Sequence, residues 1–247
     1  MLLAVDIGNS SVKFGVFDGE TIVSKFSIPT TNGVTVENLH SAVGNRLDLR
    51  ISSVIVCSVV PEIDIPLNLY LTKFGVDVVF VTNDFPFGLT IKYEPLESAG
   101  TDRLVNSFAA AEKYSVPCIL CSFGTATTID VVNKNHELLG GLIAPGMATM
   151  ARALHSNTAK LPEVEIKAPD SVIGHTTETS IQSGIFYGQV GLAESVVSRI
   201  KNEMGKGLKV VATGGFASMI AENTDVIDIV DENLLLDGLR LLSDRVT

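Results

Sequence analysis

Apolar residues open the chain as a short run, Leu2-Leu3-Ala4-Val5, closed by Asp6. Gly8-Asn9-Ser10-Ser11 follows, then Val12, Phe14 and Val16 in alternation, the Asp18-Gly19 turn signal and Thr21-Ile22-Val23. Period-two alternation around such a turn predicts a β-hairpin with a glycine bend in its first arm. The pattern returns later. Ile119-Leu120-Cys121 leads into Ser122-Phe123-Gly124-Thr125-Ala126-Thr127-Thr128, then Ile129, Val131, the polar Asn133-Lys134-Asn135 and Leu138-Leu139. Aligning Asp6 with Ser122 gives an offset of 122 − 6 = 116, which places Gly8 on Gly124 and Asp18-Gly19 on Lys134-Asn135. That spacing is too long for a solenoid, whose repeats run about 20–50 residues, and it suits a duplication into two related lobes.

Between the hairpins, helical spacing predicts helices over 35–47, 65–74 and 101–114, with strands over 53–59 and 76–81 and loop and extended chain over 85–93. Beyond the second hairpin, helices are expected over 147–155, 177–204 and 233–245. Strands are expected over 209–212 and 226–230, with a short helix between them. Alternating strands and helices in both halves predict the α/β class. The repeat places the division into an N-terminal lobe, 1–115, and a C-terminal lobe, 116–247.

Composition narrows the function. The 247 residues are 46% hydrophobic and 19% charged, which excludes disorder. Eighteen Lys and Arg against 28 Asp and Glu leave a net charge of −10, so neither nucleic acid nor an anionic membrane is expected as a partner. Asp6, Glu62, Asp64 and Arg152 interrupt the apolar runs before they reach the ~20 residues of a membrane span. No basic, then apolar leader precedes Asp6, and the three cysteines make no disulfide framework, so the reducing cytosol is the expected compartment. A mean hydropathy of +0.35 with few charges hints at a buried subunit interface.

Four segments could carry chemistry. Asp6-Ile7-Gly8-Asn9-Ser10-Ser11-Val12-Lys13 offers a glycine for close backbone approach, successive N–H groups and hydroxyls for phosphate oxygens, and the Lys13 cation. Asp6 could orient a hydrated Mg²⁺. The second bend, with Thr125, repeats the small hydroxyl residues around a glycine. Thr213-Gly214-Gly215 would let backbone approach an adenine or ribose, or simply form a tight strand-to-helix loop. Gly100-Thr101-Asp102-Arg103 opens a helix, so Asp102 reads as a helix-start carboxylate or as a base for an attacking hydroxyl. Arg103 reads as a surface ion pair or as a partner for a carboxylate or phosphoryl oxygen. Cys118 and Cys121 sit in an expected buried strand as structural residues. The four histidines share no ligand spacing, and neither a Gly-x-Ser-x-Gly elbow nor a Walker A motif occurs.

Asp6-Ile-Gly-Asn-Ser, Gly100-Thr-Asp-Arg, Phe123-Gly-Thr-Ala-Thr-Thr and Thr213-Gly-Gly together resemble the acetate kinase, sugar kinase and actin superfold. With Gly141-Leu-Ile-Ala-Pro-Gly146, Thr158-Ala-Lys-Leu-Pro162 and Thr177 through Gly184, the ordered set is similar to the type III pantothenate kinases. The resemblance implies a duplicated, two-lobed actin-like (ribonuclease H-like) α/β fold with the active site in the cleft between lobes. It implies phosphoryl transfer from ATP to the primary hydroxyl of pantothenate, the first step towards coenzyme A. By that pattern Asp102 is the proton acceptor. Tyr93, Gly100, Thr101, Arg103 and Thr177 line the pantothenate site, and Asp6 to Lys13 with Thr125 hold ATP. The resemblance further implies a homodimer, Mg²⁺, and a monovalent cation, potassium or ammonium. The family has an aspartate ligand for that cation where this chain has Ser122, which brings an oxygen but no charge. Two alternatives follow: a non-catalytic regulatory relative with the same fold, or a kinase of this superfold with another small substrate.

Overall fold

A computed structural model describes residues 1–245 apart from 32, 48 and 49. The chain divides into two compact units. The first takes residues 1–89, 93–109 and 233–247, and the second takes 90–92 and 110–232.

In the first unit, β1 (Leu2–Ile7), β2 (Ser11–Asp18) and β3 (Thr21–Pro29) form an antiparallel meander. β4 (Ser53–Ser58) joins parallel to β1, and β5 (Val78–Phe80) parallel to β4, giving the order β3-β2-β1-β4-β5. Helices α1 (Val36–Val43) and α2 (Pro61–Leu71) follow the meander and β4. Thr35 caps α1 in a capping box with Asn38, and Pro61 occupies the first turn of α2, where its missing N–H costs nothing. Alternation along β1 sends Leu3, Val5 and Ile7 into one core with Leu39, Val43, Ile63 and Leu67 of α1 and α2. Ala4 and Asp6 therefore project from the other face of the sheet.

α3 (Thr101–Tyr114) begins in the first unit. The final helix of the chain, α7 (Leu234–Ser243), packs on β1, β2 and β4 and buries Leu234, Leu236, Leu239 and Leu242. Each such leucine is worth about 1.5–3 kcal/mol on burial. Close approach needs small residues. A Cβ on Gly15 would lie 3.1 Å from Leu236 Cδ1, and one on Gly238 would lie 2.9 Å from both Ala109 Cβ and Val105 Cγ1.

The second unit repeats the first. β7 (Cys118–Phe123), β8 (Ala126–Val132) and β9 (Glu137–Pro145) form the meander; β10 (Lys209–Thr213) lies parallel to β7, and β11 (Ile229–Val230) parallel to β10. The order is β11-β10-β7-β8-β9, with the two-residue β6 (Thr90–Ile91) added beside β9. Both sheets thus have the same connectivity and the same strand directions, and the expected duplication is present in the topology. The offset of 116 also carries Pro29, the end of β3, onto Pro145, the end of β9. One core gathers Ile119, Cys121, Phe123, Ile129 and Val131 with α4 (Met147–Ser156), α5 (Thr177–Met204) and α6 (Ala217–Ala221). Thr176 caps the 28-residue α5 in a capping box with Thr179.

Several boundaries moved. The helix expected over 65–74 starts earlier, at Pro61, and ends as α2 plus a 3₁₀ turn at Thr72–Phe74. The loop and extended chain expected over 85–93 include β6, a two-residue strand. No helix among the described residues is long and apolar enough to cross a membrane.

Gly238→Ala tests the seat of the last helix. Helix propensity alone favours alanine by about 1 kcal/mol. The crowding against Val105 and Ala109 predicts the opposite sign, a loss of about 1–3 kcal/mol in urea unfolding.

Candidate functional site

Asp6 lies near the end of β1 and pairs in register with Lys13 on β2, so both side chains leave the same face of the sheet. Lys13 Nζ donates to Asp6 Oδ2 at 3.1 Å. Asp6 is buried, whereas the Lys13 side chain is 47% exposed, so a buried carboxylate meets a cation that still reaches solvent. Burial pushes the Asp6 carboxyl above its ordinary range, Lys13 pulls it back, and the negative charge of Asp102 pushes it up again.

The bend after β1 is tied from inside. Gly8 N–H donates to the Ser11 carbonyl at 3.0 Å, and Thr30 donates through Oγ1 to the Gly8 carbonyl at 2.6 Å and through its N–H to the Ser10 carbonyl at 3.1 Å. Asn9 and Ser10 are left exposed at the tip. Ile7 and Val12 are buried apolar residues, so of the expected ATP-holding run they contribute backbone rather than side chains.

Asp102 stands in the first turn of α3, where the helix dipole favours a carboxylate. Its Oδ1 accepts the Arg103 N–H at 2.9 Å. The carboxylate folds back over Gly100: a Cβ there would lie 2.5 Å from Asp102 Oδ1, which is a steric reason for the glycine. Burial raises the Asp102 carboxyl above its ordinary value, while the Arg103 N–H, the Arg103 charge and Lys13 all act the other way. Arg103 is itself buried and lies over the Tyr93 ring at 5.1 Å, with Nη1 3.4 Å from the Tyr93 hydroxyl. Thr101 turns its hydroxyl inward and donates to the Ser58 carbonyl at 2.8 Å. The structure therefore brings Asp6, Lys13, Tyr93, Gly100, Thr101, Asp102 and Arg103 together in the first unit.

The remaining expected residues belong to the second unit. Ser122 pairs with Thr128 on one side and Thr213 on the other. Gly124 N–H donates to the Ala126 carbonyl at 3.0 Å. The Thr125 carbonyl accepts the Gly146 N–H at 3.1 Å and the Thr149 hydroxyl at 2.7 Å. This bend is held as the first one is, by the residue that follows the third strand. Gly146 is required there, since a Cβ would come within 2.1 Å of the Gly124 carbonyl oxygen. Thr177 opens α5 and is exposed. In Thr213-Gly214-Gly215 the two glycines differ. Gly214, at φ +98°, would drive a Cβ to 2.5 Å from the Phe123 carbonyl oxygen, whereas the space beside Gly215 is open. Only Gly215 leaves room for a ligand at its own Cα.

Cys118 and Cys121 are buried, unbridged and pushed up to about 12 by burial, which makes them inert core thiols as expected. Among the described residues no group of three or more His, Cys, Asp or Glu is placed to hold a metal. Mg²⁺ rarely uses such a cage and binds through one or two carboxylates plus substrate phosphates. Asp6 and Asp102 fit that mode.

Three residues near the site were not read from the sequence: Thr30, Ser58 and Asn83. Asn83 donates to the Leu96 and Ala99 carbonyls, just ahead of Gly100. Each acts on a segment 13 to 43 positions away, so no local motif could mark it.

Comparison with known proteins shows the family and the fold. The type III pantothenate kinase family model matches residues 2–199. The type III pantothenate kinase of Geobacter sulfurreducens is 40% identical over 253 aligned residues, covering 99% of each chain. Among solved structures, a Baf family transcriptional activator from Campylobacter jejuni superposes with a TM-score of 0.62 at 20% identity, over 99% of this chain and 98% of that one. The activator of 2-hydroxyisocaproyl-CoA dehydratase from Clostridium difficile, with bound ADPNP, gives 0.53 at 15% identity, over 99% and 96%. These two likenesses show the fold alone.

A carboxyl raised by burial binds its proton more tightly in the folded state than in the unfolded one. Its charge therefore costs stability above the ordinary value of 3.8, increasingly as pH rises through the raised one. Asp102→Asn should melt higher than the parent at pH 7, and the gap should close as pH falls below about 4. Thermal melts across pH check the sign.

Proposed function

The chain belongs to the type III pantothenate kinase family, and on that premise we propose how its residues carry out the reaction. The protein is a kinase that transfers the phosphoryl group of ATP to pantothenate, giving 4'-phosphopantothenate at the entry to coenzyme A synthesis. The observation that carries the assignment of roles is the placing of Asp102. It is a carboxylate at a helix start, with its proton affinity raised by burial, beside a buried aspartate and a half-exposed lysine.

Asp102 is the general base that takes the proton from the primary hydroxyl of pantothenate as that oxygen attacks the γ-phosphorus. A raised proton affinity suits this role, because a base nearer neutrality accepts the proton more readily in the transition state. Arg103, pinned over Tyr93, meets the carboxylate of pantothenate or an equatorial phosphoryl oxygen. Tyr93 and Gly100 line the same substrate, with Thr101 contributing backbone. Lys13, the exposed Asn9 and Ser10 and the half-buried Ser11 hold the phosphates of ATP. Asp6 and Asp102 would hold the waters of Mg²⁺, which supplies charge neutralisation to a reaction that depends on positioning and electrostatics.

Ser122 is the position of the monovalent cation. Its hydroxyl is a neutral oxygen donor, so potassium or ammonium binds more weakly than it would to a carboxylate. The enzyme is a cytoplasmic homodimer. Alternation along β9 leaves Leu139 and Ile143 exposed on one face, and Val172 and Ile173 are exposed as well, apolar surface that favours an interface in the second unit.

A coupled assay of ADP formation with pantothenate tests these roles. Asp102→Asn should lose a factor of about 10²–10⁴ in kcat while remaining folded, the range for a general base. Wild-type turnover in that variant would remove Asp102 from the role. Ser122→Asp should increase the activation by potassium chloride relative to the parent; an unchanged potassium response would show that this position does not set it.

A further inference from the structure

The first turn of α3 is fastened on both sides of Gly100, and neither fastening is an obvious part of a kinase. On one side, Asn83, in the loop after β5, donates from Nδ2 to two carbonyl oxygens, Leu96 at 2.9 Å and Ala99 at 2.6 Å. An amide nitrogen carries two hydrogens, so its donor capacity is fully used. It thereby holds the 3₁₀ turn Leu96–Ser98, which also closes on itself through Ala99 N–H to the Leu96 carbonyl at 3.0 Å. On the other side, Thr101 donates its hydroxyl hydrogen to the Ser58 carbonyl at 2.8 Å, and its Oγ1 accepts from the buried Cys57 thiol at 3.6 Å.

The anchors come from neighbouring places in one sheet. Ser58 ends β4, and Asn83 follows β5, which runs parallel to β4. Ala99 and Thr101 are therefore fixed to the sheet, and only Gly100 lies between them. Over that glycine sits the Asp102 carboxylate. The buried Thr101 hydroxyl has given its hydrogen to protein, and so have both hydrogens of Asn83. Neither side chain keeps a hydrogen to give to a substrate.

We propose that Asn83 and Thr101 form a two-point clamp that positions the Asp102 carboxylate for proton transfer. They are positioning residues that act through Asp102, so the proposal rests on Asp102 being the base. A catalytic group needs placing to within about 0.5 Å, and a misplacement near 1 Å can cost about 10²-fold in rate.

The test uses the full-length enzyme with saturating ATP and varied pantothenate. Thr101→Val keeps the shape and removes the hydroxyl; Asn83→Ala removes the second point. Each should lower kcat about 10- to 100-fold with pantothenate KM within about threefold of the parent. Thr101→Ser should recover most of the turnover lost in Thr101→Val, because it restores the donor. In an Asp102→Asn background the two clamp substitutions should cost nothing more, since groups that act through one residue are not additive. A raised KM with unchanged kcat would make Thr101 a substrate ligand and overturn the clamp. Full additivity with Asp102→Asn would overturn it too. If Thr101→Val melts below the assay temperature, Asn83→Ala and Thr101→Ser carry the same comparison. Wild-type turnover in Asp102→Asn alone would instead sink the base assignment, which separates the two failures.

Discussion

The pairing of Asp6 with Lys13 across β1 and β2 is the constraint on which the site depends. A carboxylate at the end of a buried strand is expensive unless a cation answers it. Register makes the answer automatic, because directly opposed residues share a face. The pair then fixes what else can stand nearby. Asp102 adds a second negative charge, answered in part by Arg103 and Lys13, and burial makes both aspartates hold protons more tightly than they would in water. Keeping two buried carboxylates charged costs stability, and such carboxylates suit the proposed site for Mg²⁺ and nucleotide.

Duplication supplied two scaffolds and different chemistry on each. Both meanders end at a proline 116 positions apart, and in both the next residue donates its N–H to a carbonyl of the glycine bend at 3.1 Å. A threonine hydroxyl also braces each bend, Thr30 on Gly8 and Thr149 on Thr125. The position of the buried charge differs. The first unit has Asp6, opposed by a lysine, and the second has Ser122, opposed by Thr128. Backbone support is common to both units, while the residues at the aligned strand position differ.

Much of this was legible in the chain before folding. The glycine bends, the offset between them, and Gly100 through Arg103 all depend on local rules: alternation, turn residues and a helix start. The clamp on Asp102 was not legible. Asn83 looks like any loop asparagine, and it acquires a role only when β5 places it beside the turn at residues 96–98. Thr101 was read as a substrate-facing residue, yet its hydroxyl points to the end of β4. Gly214-Gly215 fits either a tight loop or room for a ligand, and the Phe123 carbonyl fills the space at Gly214 while that at Gly215 is open.

The sequence by itself determined the α/β class, the repeated hairpins and the identity of the charged groups, because strand alternation and turn chemistry are written within a few residues. Tertiary structure decided which sheet receives the last helix. The leucines of 234–242 specify an apolar face but no destination, and they pack on the first sheet although they come last in the chain. It also decided how Asp102 is held, because those hydrogen bonds join segments that only the pairing of β4 with β5 brings within reach.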